Sequence, residues 1–138
     1  VINPKLSTNV NYAYTIAKID ADVSSSNELN GKTNPMTSKH NVSASIRYTI
    51  NDNANMTLTQ KYRSKAFSEE DYANKFSQKQ KAYNSTNFNF TYSPNDDLKF
   101  KFDVENLFEN SFGTWLSDDV IYPGNFTRNM KAELSYKF

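Results

Sequence analysis

The stretch that most restricts this chain is its last one, "RNMKAELSYKF", Arg128 to Phe138. Met130, Ala132, Leu134, Tyr136 and Phe138 form one apolar row, and Asn129, Lys131, Glu133, Ser135 and Lys137 form a polar one. Successive side chains of a strand point to opposite faces, so this reads as a β-strand with two chemically different sides. A soluble sheet would turn the apolar side to a protein core. A membrane barrel would turn it to lipid and the charged side to a water-filled lumen.

Five further segments alternate in the same way. Val10, Tyr12, Tyr14 and Ile16 stand on one parity; Val42, Ala44, Ile46, Tyr48 and Ile50 on the next; then Met56, Leu58 and Tyr62. Phe88, Phe90 and Tyr92 follow, then Leu98, Phe100, Phe102 and Val104. Each row faces a polar one, among whose members are Arg47, Lys61, Arg63, Lys99, Lys101, Asp103 and Glu105. Six strands are therefore expected.

The connections alternate in length. "NDNAN" and "SPNDD" are short and rich in the Asn, Asp and Pro that tight turns favour. "DADVSSSNELNGKTNPMTSK", "SKAFSEEDYANKFSQKQKA" and "ENSFGTWLSDDVIYPGN" are long, and loops of that length are uncommon in compact domains unless they serve a function. Short turns at one end and long loops at the other describe an outer-membrane barrel. Within the alternating segments Tyr and Phe fall on the apolar parity, as in a lipid-facing surface with aromatic girdles. A soluble β-sandwich alternates too and remains a rival at this point.

Composition removes other classes. The chain has no Cys, hence no disulfide, thiolate metal site or thiol nucleophile. Its 16 Lys and Arg nearly balance 15 Asp and Glu with no basic stripe, so no nucleic acid is expected as a partner. No apolar run reaches the length of a transmembrane helix, and no signal peptide is visible.

At "VENLFENSFGTW", Val104 to Trp115, the sequence resembles the end of a TonB-dependent outer-membrane receptor. The likeness is carried by Asn106, Leu107, Phe108, Phe112 and Gly113, then Pro123 and Gly124 before Arg128, and a final strand closing on Phe138. Upstream, "NPMTSKHNVSASIRYTI" resembles the family's segment from a Pro through a His into a strand, here Pro35 and His40. The resemblance implies an all-β fold: an antiparallel transmembrane β-barrel segment of about six strands, with short periplasmic turns and long extracellular loops. Such receptors enclose a plug within about twenty-two strands. This chain holds neither plug nor energy-coupling box, so residues 1–138 are expected to be a C-terminal barrel segment that needs the remaining strands to cover its edges.

The resemblance further implies import of a scarce nutrient such as a ferric siderophore, haem or a corrinoid, without covalent chemistry and without a cofactor. The implied partners are the rest of the receptor, the TonB energising complex acting through the plug, outer-membrane lipid and the barrel-assembly machinery. A passive porin-type channel fragment and a soluble β-sandwich binding module are the alternatives.

Candidate site residues follow from both lines of reading. Trp115 and Tyr122 in the last long loop, and Phe67, Tyr72 and Phe76 in the middle one, are aromatics that a receptor would present to a ligand, or that would pack within loops and girdle. Tyr136 and Phe138 stand where the resembled family carries its barrel-assembly signal. His40, the single histidine, reads as structural or interfacial, since no second metal ligand accompanies it. Glu69, Glu70, Asp71, Asp118 and Asp119 lack the spacing of a calcium loop and read as solvated loop charges. The charged inward row suits cross-strand pairing, and a basic path for an anionic ligand equally.

Overall fold

Strict alternation produces six long strands in the computed structural model, which describes residues 5–20, 28–111, 113–117, 120–123 and 127–138, the segments 113–117 and 120–123 by their backbone alone. They are β1 (Leu6–Tyr14), β2 (His40–Asn51), β3 (Ala54–Arg63), β4 (Tyr83–Tyr92), β5 (Leu98–Glu105) and β8 (Asn129–Tyr136). All neighbours run antiparallel in one sheet of order β1-β2-β3-β4-β5-β8. Strand lengths of 8 to 12 residues suit a tilted transmembrane β-strand. The sheet is open: β1 is paired only with β2 and β8 only with β5 among the described residues.

Registration places every apolar row on one side. Thr8, Ile46, Leu58, Phe88, Val104 and Met130 lie side by side across the sheet, and Leu6, Tyr48, Met56, Phe90, Phe102 and Ala132 form the neighbouring row. Among the described residues no second sheet covers this side. Val10 is 69%, Met130 57% and Leu134 71% exposed, whereas Ala54, Ala66 and Val104 are the buried apolar residues described. A β-sandwich needs a second inner face to cover such a row, so the soluble-sandwich alternative fails on this geometry.

Tyrosines mark both ends of the apolar side. Tyr12 and Tyr62 both stand opposite Val42 near the long loops, and Tyr48 lies toward the short turns of the same strand. The separation is about 20 Å at ~3.3 Å per residue, of the order of the ~25 Å apolar band of a membrane barrel. Next to Tyr12, the Tyr14 and His40 rings lie 5.2 Å apart, and the Tyr12 hydroxyl is hydrogen-bonded to His40 Nδ1 at 2.9 Å. His40 thereby packs against the tyrosines of the same parity.

Four details depart from the alternation pattern. β1 begins at Leu6 and ends at Tyr14, leaving Ile16 outside the strand. A register shift between Thr49 and Asn51 makes Ile50 the odd residue of a bulge, which interrupts the β2 row just before the turn. The third long loop carries a hairpin of its own, β6 (Gly113–Ser117) and β7 (Val120–Pro123), in a separate two-stranded sheet. Also, Gln60, Asn84 and Thr86 share the outward parity but are polar. They satisfy one another, with Thr86 Oγ1 donating to Gln60 Oε1 at 2.5 Å and Gln60 Nε2 donating to Asn84 Oδ1, which removes most of the penalty for facing an apolar phase.

The Asn106-Leu107-Phe108 turn has a mechanical cause. Asn106 takes φ 52°, and Glu109 φ 53°. The Asn106 side chain accepts from the Asn110 N–H at 3.0 Å and donates to the Asn110 carbonyl at 3.2 Å, closing the turn on itself. Leu107 N–H donates to the Thr86 carbonyl at 2.8 Å, so the turn covers the upper edge of β4. Arg128 Nε donates to the Leu107 carbonyl at 3.0 Å and its guanidinium lies 3.7 Å from Glu109. The residue just before the last strand is thus tied to the turn that closes β5.

Candidate functional site

The polar side of the sheet has two halves that differ in charge balance. Across β4, β5 and β8, Asn89 donates to Asp103, Lys101 lies 3.6 Å from Glu133, and Lys131 lies 3.3 Å from the same carboxylate. These are the pairings that the charged inward row suggested. Toward β1, β2 and β3 the acids are missing. Lys61 stands opposite Ser43 and Ser85, and Arg63 opposite Asn41 and Tyr83. Among the described residues no carboxylate lies within ion-pair distance of Arg47, Lys61 or Arg63.

Asn11, Ala13, Asn41, Ser43, Lys61, Arg63 and Tyr83 line a hollow of about 460 Å³ on this side, near the long-loop end. The Arg63 guanidinium lies 5.6 Å from the centre of the Tyr83 ring, a cation–π contact that orients it without neutralising it. Two cations, an aromatic ring and several amide and hydroxyl groups make a surface suited to a multiply charged anion with planar parts. Among the described residues no cluster of His, Cys, Asp and Glu has the arrangement of a metal site.

Lys61 and Arg63 were legible from parity alone. Tyr83 was not, because the fourth alternating segment reads clearly only from Asn87 onward. Carrying the same parity back through Ser85 would have found it.

The loop candidates are placed unequally. Trp115 and Tyr122 are directly opposite each other in the β6–β7 hairpin, while their side chains lie outside the described residues. Asp118 and Asp119 fall outside them as well. The Phe67 ring sits under Lys79, whose Nζ is 4.1 Å from the ring centre, and the Phe67 carbonyl accepts from Met36 N–H at 3.0 Å. Tyr72 is 52% exposed, and no described contact joins it to Phe67. Tyr136, the last residue of β8, and Phe138 meet edge to face at 5.0 Å at the short-turn end of the strand.

Asp71 corrects the expectation of a solvated loop charge. It is 1% exposed, and its carboxylate accepts from the N–H groups of Lys75 and Phe76 at 2.7 and 3.3 Å. A loop that folds over its own carboxylate needs that acceptor for backbone donors it has removed from water.

Comparison with known proteins agrees with this architecture. The family model described as TonB dependent receptor-like, beta-barrel, matches residues 3–107. Among solved structures, the ferric citrate transporter FecA in its unliganded form superposes with TM-score 0.78 at 22% identity, over 97% of this chain and 21% of that one. The ferric-catecholate import receptor Fiu of E. coli K12, closed form, gives 0.74 at 20% identity, over 99% and 19%. The siderophore receptor PiuA of Acinetobacter baumannii gives 0.73 at 16%, over 99% and 20%. The chain thus spans about a fifth of each of these structures. No curated protein sequence matches it significantly. With its six antiparallel strands, single-sided apolar surface and a family match over most of its length, the chain belongs to the TonB-dependent receptor-like β-barrel family.

Proposed function

We propose that this chain is the C-terminal part of the barrel wall of an outer-membrane receptor that imports an iron chelate, and that its Lys61–Arg63–Tyr83 hollow faces the ligand path. The uncompensated charge at that hollow carries the reading. A wall that neutralises Lys101 and Lys131 with Glu133 but leaves Lys61 and Arg63 without acids favours anions at one place rather than everywhere. Ferric catecholates and ferric citrate, named for the similar structures Fiu and FecA, are anionic chelates of that kind.

Further support comes from the sheet edges. An open β1 or β8 edge in lipid would leave a row of unpaired backbone groups, so both would be covered by further strands of the same receptor. In this reading the long loops are extracellular and the short turns periplasmic. A plug in the missing part would link the receptor to the TonB complex, and the assembly machinery would read Tyr136 and Phe138.

The test uses the full-length receptor. Lys61→Gln with Arg63→Gln should weaken binding and uptake of an anionic ferric catecholate by about tenfold or more, as expected for two charge-assisted contacts, with unchanged amounts in the outer membrane. Unaltered affinity for every anionic ferric chelate that the receptor transports would overturn the assignment.

A further inference from the structure

The β3–β4 pairing does not stop where the two strands end. Arg63 stands opposite Tyr83, and the isolated bridge between Ala66 and Gln80 keeps the same register. Lys65 is thereby set opposite Lys81, and Phe67 opposite Lys79. On the other flank of β3, Arg63 stands opposite Asn41, and Ser64 N–H donates to the His40 carbonyl at 2.9 Å in continuation, which sets Lys39 beside Lys65. Lys39, Lys65 and Lys81 thus form one row across the ends of β2, β3 and β4, on the parity of Lys61 and Arg63 and not on that of the apolar side. Contacts on the rungs above and below agree with this alignment. The Arg63 guanidinium lies 5.6 Å from the centre of the Tyr83 ring, and Lys79 Nζ lies 4.1 Å from that of Phe67.

Three like charges side by side on adjacent strands, about 5 Å apart at the backbone, repel one another. None of Lys39, Lys65, Lys79 and Lys81 is in an ion pair among the described residues, whereas Lys75 of the same loop pairs with Glu28 at 3.5 Å. Asp71, buried in that loop, is occupied by the N–H groups of Lys75 and Phe76. The row therefore keeps its charge, and it continues the Lys61 and Arg63 column toward the long loops. From Lys61 to the rung of Phe67 and Lys79 the column measures about 20 Å at the rise of an extended strand. An ammonium group is a compact point charge without the fixed fork of a guanidinium. Such a row responds to the total charge of an anion more than to its shape.

We propose that the Lys39–Lys65–Lys81 row selects chelates by net charge, drawing strongly anionic ferric complexes toward the Lys61–Arg63–Tyr83 hollow and giving neutral ones no advantage. The inference rests on the ligand path proposed above and gives the two parts of the column different tasks. The row, on the long-loop side, governs the rate of capture through the field that steers an anion to it. The hollow governs retention, through charge-assisted contacts and the Arg63 guanidinium held on the Tyr83 ring. Lys65, between the other two lysines, is the centre of the row.

The experiment uses the full-length receptor purified in detergent, with binding followed by stopped-flow quenching of its intrinsic fluorescence. The probes are the trianionic iron(III) complex of a tris-catecholate and the neutral iron(III) complex of a tris-hydroxamate. At low salt the trianion should associate at least about tenfold faster than the neutral complex, and added salt should slow it steeply. The triple variant Lys39→Gln, Lys65→Gln, Lys81→Gln should capture the trianion at least about tenfold more slowly, with dissociation changed by less than about twofold. The corresponding Arg variant should keep the native rate. Because the Gln variant removes a like-charge row, it should melt no lower than the native receptor. A native receptor that binds the trianion no faster than the neutral complex would overturn the proposal without any variant. So would undiminished association in the Gln variant, or an effect confined to dissociation. A lower melting temperature with unchanged capture would make the row structural only. Lys61→Gln with Arg63→Gln separates the two readings. Faster dissociation in that variant beside a native-like triple variant would remove the row and leave the hollow standing. Slow capture by the triple variant, with the Lys61 and Arg63 variant native-like, would keep the row and place retention elsewhere.

Discussion

Asn74 holds Thr33 by both of its backbone polar groups: the Asn74 side-chain oxygen accepts from Thr33 N–H at 2.7 Å and its amide donates to the Thr33 carbonyl at 2.9 Å. Asn74 itself takes φ 55°, and its amide also reaches the Asp71 carbonyl at 3.0 Å. With Lys75 on Glu28 and Met36 N–H on the Phe67 carbonyl, the first two long loops are joined into one body.

Asn74→Ala removes both bonds to Thr33 together with the one to the Asp71 carbonyl, and puts Ala, which tolerates positive φ less readily than Asn, at φ 55°. Each lost bond between partly buried groups costs about 1 kcal/mol, and the strained backbone about 1 more. Amide exchange at Thr33 should accelerate by roughly tenfold or more in the intact receptor, read by hydrogen–deuterium exchange, while β2 and β3 stay protected. Unchanged exchange at Thr33 would show that the loops are joined by other contacts.

Phe102 and Lys101 are neighbours in β5 that face opposite sides, the former between Phe90 and Ala132, the latter on Glu133. A cation at mid-height on the lipid side costs about 2 to 4 kcal/mol. Phe102→Arg should therefore impair assembly of the full receptor far more than Lys101→Phe, as judged by heat-modifiable mobility on gels. Equal tolerance of the two would reverse or abolish the outward assignment.

Asn106 joins a positive φ to a side chain bonded to Asn110. Asn106→Gly keeps the backbone conformation and loses the bonds; Asn106→Ala loses both. The Ala variant should be less stable than the Gly variant by about 1 kcal/mol, and both less stable than the native receptor. Thermal unfolding of the inserted protein checks the order, and Ala equal to Gly would mean that the backbone conformation carries no strain.

Phe138 touches Tyr136 edge to face and is otherwise fully exposed. Such a ring pair contributes about 0.5 to 1.5 kcal/mol, too little to hold a large barrel together. Deleting Phe138 should lower the amount of receptor inserted while leaving the melting temperature of the inserted fraction nearly unchanged. Normal insertion with a markedly lower melting temperature would make the ring a packing residue only.

Cysteines at Ser77, on the second long loop, and at Asn53 and Asn95, on the short turns, test the topology. The first should react with an impermeant maleimide on intact cells and the other two should not. The reverse pattern would invert the proposed orientation.

What the sequence by itself determined is which side of the sheet each strand residue occupies. That follows from the period of two in an extended backbone, a local property, so Phe102 outward and Lys61 and Arg63 inward were readable without any structure. Even the turn signature at Asn106 was visible as a motif, though not its cause, which is a side chain closing on Asn110. Tertiary structure alone decided what lies next to what across the long loops. The hold of Asn74 on Thr33 and the bond from Met36 N–H to the Phe67 carbonyl both depend on the β2–β3 register, which sets two loops of unrelated sequence side by side. No local pattern encodes such contacts, because each joins residues distant in the chain, and their strength comes from mutual desolvation that neither loop has alone.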